Sequence, residues 1–96
     1  TDKTVENSGT STTPSTGATA ATSEAVELVI GGFVGGAGTA TFSAPDNSFS
    51  LVTQVQNTDQ AAAMTYKVLT STGTPNSGLT LSASLDWAAC LATFKV

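Results

Sequence analysis

The sequence predicts an all-β fold, specifically an antiparallel β-sandwich of the jelly-roll kind. Short segments alternate apolar and polar residues with the period of two that strands require. Turn-forming groups such as Pro45-Asp46-Asn47 separate these segments at spacings typical of sandwiches. The one helix-like run, residues 61–64, is too short and leads into β-branched and aromatic residues.

The 96 residues suffice for one small domain and divide at a change of composition. Residues 1–24 are rich in Thr, Ser, Gly and Ala, with Val5 as their one large apolar side chain. Such a tract cannot offset its ordering entropy alone, so we expect an extended arm or linker and a candidate donor strand for another sheet. Residues 25–96 form the expected β-sandwich domain.

The first half of this domain contains three predicted strands. The first places Val26, Leu28 and Ile30 on its apolar face and ends at two glycines. The second covers residues 39–44 and ends at the Pro-Asp-Asn turn. The third turns Phe49 and Leu51 inward, together with Thr53 and Val55.

The second half contains three more predicted strands. In one of them Met64, Tyr66 and Val68 alternate with more polar neighbours, which places Tyr66 in the core. In the next, one face carries Leu79, Leu81, Ala83 and Leu85. The last segment, residues 86–96, is apolar on both faces, which is typical of a strand inside a sheet between two layers.

Three phrases resemble the C-terminal half of concanavalin-like jelly-roll modules of bacterial secreted proteins and phage structural proteins. These phrases are ATSEAVELVIGGF (residues 21–33), FSAPDNSFSLVTQV (residues 42–55) and YKVLTSTGTPNSGLTLSASLDWAACLATFKV (residues 66–96). The resemblance implies a jelly-roll sandwich whose N-terminal half is missing. It also implies open sheet edges, to be completed by another part of the parent protein or by strand addition from a neighbouring chain.

The composition argues against catalysis. The chain has no histidine, no arginine and one cysteine, while 29 of its residues are serine or threonine. A nucleophile at Cys90 would lack a histidine base, and we expect this thiol to be buried in its apolar run. Glu27 and Asp86 are a remote candidate for a glycosidase pair, but outward-facing strand charges explain them better. We therefore predict a non-enzymatic protein without a cofactor.

Metal binding is also not expected. Asp46-Asn47 and residues 57–59 offer oxygen atoms at two loop tips, where Ca²⁺ binds in some β proteins. Neither group supplies the six to eight ligands that calcium takes, and Asp and Asn favour turns by bonding their own backbone. We therefore predict no metal site.

Three aromatic residues are the candidates for ligand contact: Phe33, Tyr66 and Trp87. A sugar site needs exposed aromatic rings beside polar amides. Phe33 lies among glycines at a strand end and is the residue most expected to be exposed. Trp87 begins the most apolar segment and is expected to pack at the core or the sheet end.

The charge balance limits the partners. Three lysines against seven acidic residues argue against nucleic acid and against anionic membrane surfaces. The apolar stretch over residues 25–44 contains Glu27 and five glycines, so we reject a membrane span. Partners are then copies of the chain or another part of its parent protein, with glycans as a further candidate.

A hydroxyl-rich, weakly charged surface suits an extracellular, cell-surface or virion-surface location. The chain begins at Thr1 without a signal-peptide pattern, as a processed product or a piece of a longer protein would. We expect a structural subunit of a filament, fibre or decoration layer, a homo-oligomer built by sheet packing and strand exchange. The alternative is a carbohydrate-binding or adhesion module of a secreted protein.

Overall fold

The computed structural model describes residues 1–36 and 40–96, and all regular structure in these residues is β-strand. The strands are β1 (Thr4–Ser11), β2 (Glu27–Gly35), β3 (Phe42–Ser43), β4 (Ser50–Gln56), β5 (Ala61–Leu69), β6 (Thr80–Leu81) and β7 (Leu85–Lys95). The all-β, antiparallel prediction is confirmed, and the packing is consistent with a β-sandwich. None of the described residues forms a helix long and apolar enough to cross a membrane.

Five strands form one antiparallel sheet in the order β1-β7-β2-β5-β4. The central strand is β2, because the apolar β7 pairs along one of its sides and β5 pairs along the other. The edge strand β4 contains a bulge between Leu51 and Thr53. The last segment of the chain therefore lies inside the sheet, as its apolar character predicts.

A thinner second layer covers one face of this sheet, which we call the inner face. It consists of the two-stranded β3–β6 sheet and of two extended segments, residues 12–22 and 73–81. The two segments run antiparallel and exchange backbone hydrogen bonds, including Leu81 N to the Thr12 carbonyl (2.7 Å) and Thr16 N to the Ser77 carbonyl (2.9 Å).

The core lies between the layers. Its larger cluster of buried side chains groups Phe33 and Trp87 from the sheet with Phe42, Leu79 and Leu81 from the second layer. The rings of Phe33 and Phe42 pack with their centroids 6.2 Å apart. A smaller cluster consists of Val29, Phe49, Leu69 and Leu91.

Residues 1–24 lie within the chain's own fold, where we expected an extended arm or linker. Strand β1 pairs with β7 along its whole length, and Asp2 N adds a hydrogen bond to the Thr93 carbonyl (2.7 Å). Pro14 and Thr16 are buried in the second layer. The strand character expected from the Thr content is present, and the sheet edge that binds this strand belongs to the same chain.

The predicted inward faces of two strands are wrong. Val26 is exposed, while the alternate residues Glu27, Val29 and Phe33 point to the core. In β5, Met64, Tyr66 and Val68 are exposed, while Ala61, Ala63, Thr65 and Leu69 are buried. Both strands carry apolar residues on both faces, so alternation alone does not decide which face is covered. At β4, Phe49 just before the strand and Leu51 within it contact the core as expected, but Thr53 and Val55 do not.

Candidate functional site

The three aromatic candidates lie on different sides of the sheet. Phe33 is only 2% exposed, so its expected exposure is wrong: it lies in the inner row of β2 against Phe42. Trp87 is 8% exposed and donates from Nε1 to Ser11 Oγ (3.1 Å), which agrees with the expected packing. Tyr66 is 42% exposed on the opposite face, so its expected core position is also wrong. The structure does not bring the three rings together.

Cys90 is exposed, which corrects the buried thiol expected from its apolar neighbours. In the register of the sheet it lies between Glu6 of β1 and Gly32 of β2, on the face that the second layer does not cover. Its neighbours Ala89 and Leu91 are the residues of this run that point to the core.

Glu27 and Asp86, the two carboxylates considered as a hydrolytic pair, lie at opposite ends of the sheet. Glu27 begins β2 opposite Lys95, whereas Asp86 lies near the other end of the sheet, where its carbonyl accepts from Gly36 N. Glu27 is fully buried, contrary to the expected outward orientation, and its Oε2 accepts a hydrogen bond from Glu24 N (3.2 Å). Asp86 is exposed and accepts a hydrogen bond from Thr10 Oγ1 (2.6 Å).

The two loop tips contain ordinary turn interactions. Asp46 Oδ1 accepts from Gly78 N (2.7 Å), and Asn57 Oδ1 accepts from the backbone of Asp59 and Gln60 (2.8 Å each). Among the described residues, no three His, Cys, Asp or Glu side chains are grouped as metal ligands.

The feature that remains is the uncovered face of the five-stranded sheet, which we call the outer face. Because the strands pair in register, apart from the bulge in β4, its side chains form rows that run across the sheet. One row is Glu6, Cys90, Gly32, Met64 and Thr53, and the next is Thr4, Ala92, Ile30, Tyr66 and Ser50. The apolar members of the outer face with large exposed fractions are Val34, Val55, Met64, Tyr66, Val68 and Phe94.

The outer face is not flat. Two adjoining depressions of about 710 and 780 Å³ lie over its β1, β7 and β2 side and share Glu6, Gly32 and Cys90 in their walls. The depressions form because Ala88, Cys90 and Ala92 on β7 have small side chains and the neighbouring Gly32 has none. On the other side of β2, the exposed side chains of Met64, Tyr66 and Val68 on β5 stand as a ridge.

Charge is sparse on this face and confined to one margin. Glu6 and Asp86 occupy outer-face positions on β1 and β7. The lysines follow the inner register: Lys67 donates to the Asn47 carbonyl (2.8 Å) and lies over the Phe49 ring (5.7 Å). Lys95 lies beside the buried Glu27 position. The described outer face therefore combines an apolar centre with an acidic edge.

The sequence indicated the outer face only indirectly. The run over residues 86–96 predicts a strand covered on both faces, and the structure covers one of them within the chain. Comparison with known proteins adds no relative: no protein-family model matches the chain, and no match was found among curated proteins or solved structures. The concanavalin-like resemblance therefore stays a prediction.

Proposed function

We propose that this chain is a structural module that works by packing the outer face of its sheet against another β layer. The supporting observation is the distribution of size over residues 61–66 of β5, where the large Met64 and Tyr66 point outward while Ala61, Ala63 and Thr65 point to the chain's own core. Large apolar side chains are normally the ones that a fold buries. Their position supports a second core that forms only on assembly.

The size of the face supports the same function. Five strands at a spacing of about 4.8 Å and nine residues at about 3.3 Å each give a footprint of roughly 700 Å². The largest apolar patch of an ordinary monomer is about 300–600 Å², and a stable interface buries about 800 Å² per partner. The whole outer face, polar margins included, is thus close in area to what an interface needs, and its apolar part is smaller.

The setting that we propose is an extracellular or virion-surface assembly such as a filament, fibre or decoration layer. Support comes from the composition, in which 29 hydroxyl residues and few charges form the polar surface. Sheet packing now carries this proposal better than strand exchange, because β1 is already paired within its own chain. A glycan-binding module has less support, since Phe33 and Trp87 are buried and Tyr66 alone is exposed.

The deciding experiment combines the size of the native particle with the reactivity of Cys90. Light scattering of undenatured material should find an assembly of two or more chains, and electron microscopy should find regular particles or filaments where further contacts join these units. In these particles a thiol reagent should label Cys90 much more slowly than in the urea-dissociated chain, because the outer face is covered.

A compact monomer of the chain's own mass would overturn the proposal and direct the work to glycan screening around Tyr66. Regular particles in which Cys90 reacts as fast as in the dissociated chain would also overturn it, since the outer face would then be free.

A further inference from the structure

The outer face has a trough on one side of the central strand β2 and a ridge on the other side. Strands β7 and β5 are the two hydrogen-bonded neighbours of β2, so each lies about 4.8 Å from it. On the β7 side the outer residues Ala88, Cys90 and Ala92 are small, and the larger Phe94 closes this stretch near the end of the strand. On the β5 side Met64 and Tyr66 are large and exposed. A trough and a ridge thus lie at equal distances on either side of the central strand.

We propose that the outer face binds the outer face of a second copy of this chain, with a two-fold axis parallel to β2. This inference rests on the proposed function and names the partner. Rotation about this axis exchanges the two sides of the sheet, so the ridge of each copy enters the trough of the other. A two-fold interface requires this kind of self-complementary surface.

The register rows specify the contacts. With the axis passing over Gly32, Met64 of one copy lies against Cys90 of the other, and Tyr66 lies against Ala92. Gly32 of one copy faces Gly32 of the other, and the missing side chains let the two sheets approach at the centre of the interface. In these two rows the large Met64 and Tyr66 meet the small Cys90 and Ala92, as close packing requires, and Ile30 meets Ile30 on the axis.

The other in-plane axis, at right angles to the strands, produces a poorer contact. It places each strand over its own copy, so the β5 ridges meet each other and the β7 troughs leave an empty space. It also brings the β1 margins together, where Glu6 faces Glu6 in the row of Cys90. Like charges on an apolar interface are unfavourable. With the axis parallel to β2, Glu6 lies instead over the uncharged Thr53 of β4.

The footprint is consistent with a dimer of identical chains. Roughly 700 Å² from each copy, estimated from strand spacing and rise, is close to the roughly 800 Å² per partner of a standard interface. The centre of the face is apolar and its charged residues lie at the margin, as in protein interfaces generally.

Crosslinking between chains with one cysteine each tests both the partner and the axis. The native chain, whose single thiol is Cys90, is mixed with a tagged C90A/M64C variant and treated with a short bismaleimide. We expect a crosslinked heterodimer in this mixture. The matched control is a tagged C90A/T72C variant, which carries its thiol on the exposed loop after β5, and the heterodimer should be lost in that mixture.

The native chain alone decides the orientation. With the axis parallel to β2, the two Cys90 Cα atoms are separated by about two strand spacings and one layer distance, roughly 14 Å. Their thiols stay offset sideways by about 10 Å, so a crosslinker shorter than this offset should yield no homodimer. A strong Cys90–Cys90 product would show the perpendicular axis and overturn the proposed geometry.

Light scattering over a range of concentrations tests whether the native chain associates with a second copy, and it needs no variant. A native chain that stays monomeric overturns both this inference and the proposed function. Particles with a protected Cys90 but without the 64–90 crosslink overturn the two-fold pairing alone. The proposed function would then stand, with another β layer as the partner.

Discussion

The hydroxyl oxygens of Thr65 and Ser77 lie 2.7 Å apart in a buried hydrogen bond that joins the sheet to its second layer. Ser77 N also donates to Thr16 Oγ1 (3.0 Å), so the contact links β5 to both extended segments of that layer. Gly31 lies beside this pair, opposite Thr65 in the register. A Cβ atom at position 31 would lie 2.5 Å from Thr65 Oγ1 and 3.3 Å from the Ser77 side chain.

The substitution Gly31→Ala should therefore destabilise the fold by about 2 kcal/mol, the usual cost of forcing one extra methyl group into a packed core. The loss should appear as a lower midpoint of urea unfolding with an unchanged slope. Gly73→Ala is the matched control, because a Cβ atom there meets nothing within 4 Å, and its effect should stay within about 0.5 kcal/mol. Equal midpoints for the two variants would contradict the close approach.

The same contact explains why the fold class was predictable from the sequence and the inward faces of β2 and β5 were not. Alternation and turn residues define strands, and these signals are local. Which face of β2 is covered depends on the segment that lies over it, and that segment contains Ser77, 46 positions away along the chain. Gly31 was readable only as a strand end, although its role is to admit a neighbouring hydroxyl group.

The candidate site was hidden for a related reason. Met64, Tyr66 and Val68 look like a core row, and within one chain they are a surface row. Sequence reasoning assigns large apolar residues to the core of the chain itself, so it cannot separate them from residues that are buried by a partner. The segment over residues 86–96 carried the usable signal, because it is apolar on both faces and needs two covering layers.

Asp2 anchors the start of the chain. Its Oδ2 accepts a hydrogen bond from Ser23 N (2.8 Å), and its Oδ1 lies 3.7 Å from Lys3 Nζ. The Ser23 hydrogen bond is the largest cause that holds the pKa of Asp2 well below its ordinary value of 3.8, and it outweighs the opposite effect of burial. The positive charge of Lys3 lowers the pKa further.

A lowered pKa in the folded chain means that the unfolded chain binds the proton more tightly. The stabilisation by Asp2 is therefore complete above the unfolded pKa near 3.8 and is lost as the pH falls below it. Asp2→Asn should reduce the unfolding free energy at pH 7, and the difference from the native chain should shrink in acid. Asp59→Asn, at an exposed turn position, is the control, because it removes the same single negative charge as Asp2→Asn. A difference that does not change between pH 7 and pH 3 would contradict this role of Asp2.

Met64 stands at the centre of the ridge on the outer face, in the row of Gly32 and Cys90. Its side chain is 43% exposed in the single chain, so Met64→Lys should change the stability of the monomer by no more than about 0.5 kcal/mol. In a face-to-face assembly the charge of the same lysine would be taken out of water at the apolar centre of the interface, a cost that pairing with Glu6 at the margin offsets only in part. Light scattering should therefore find the M64K variant monomeric at concentrations where the native chain assembles.

Thr72→Lys adds the same charge to an exposed loop position outside the sheet, and this variant should assemble like the native chain. The comparison removes the general effect of one added positive charge on a chain of net charge −4. If both variants fail to assemble, long-range charge governs assembly. If both assemble like the native chain, the ridge that contains Met64 is not part of the interface. Loss of assembly in M64K alone, with an unchanged urea midpoint, would place the contact on the face that the chain itself leaves uncovered.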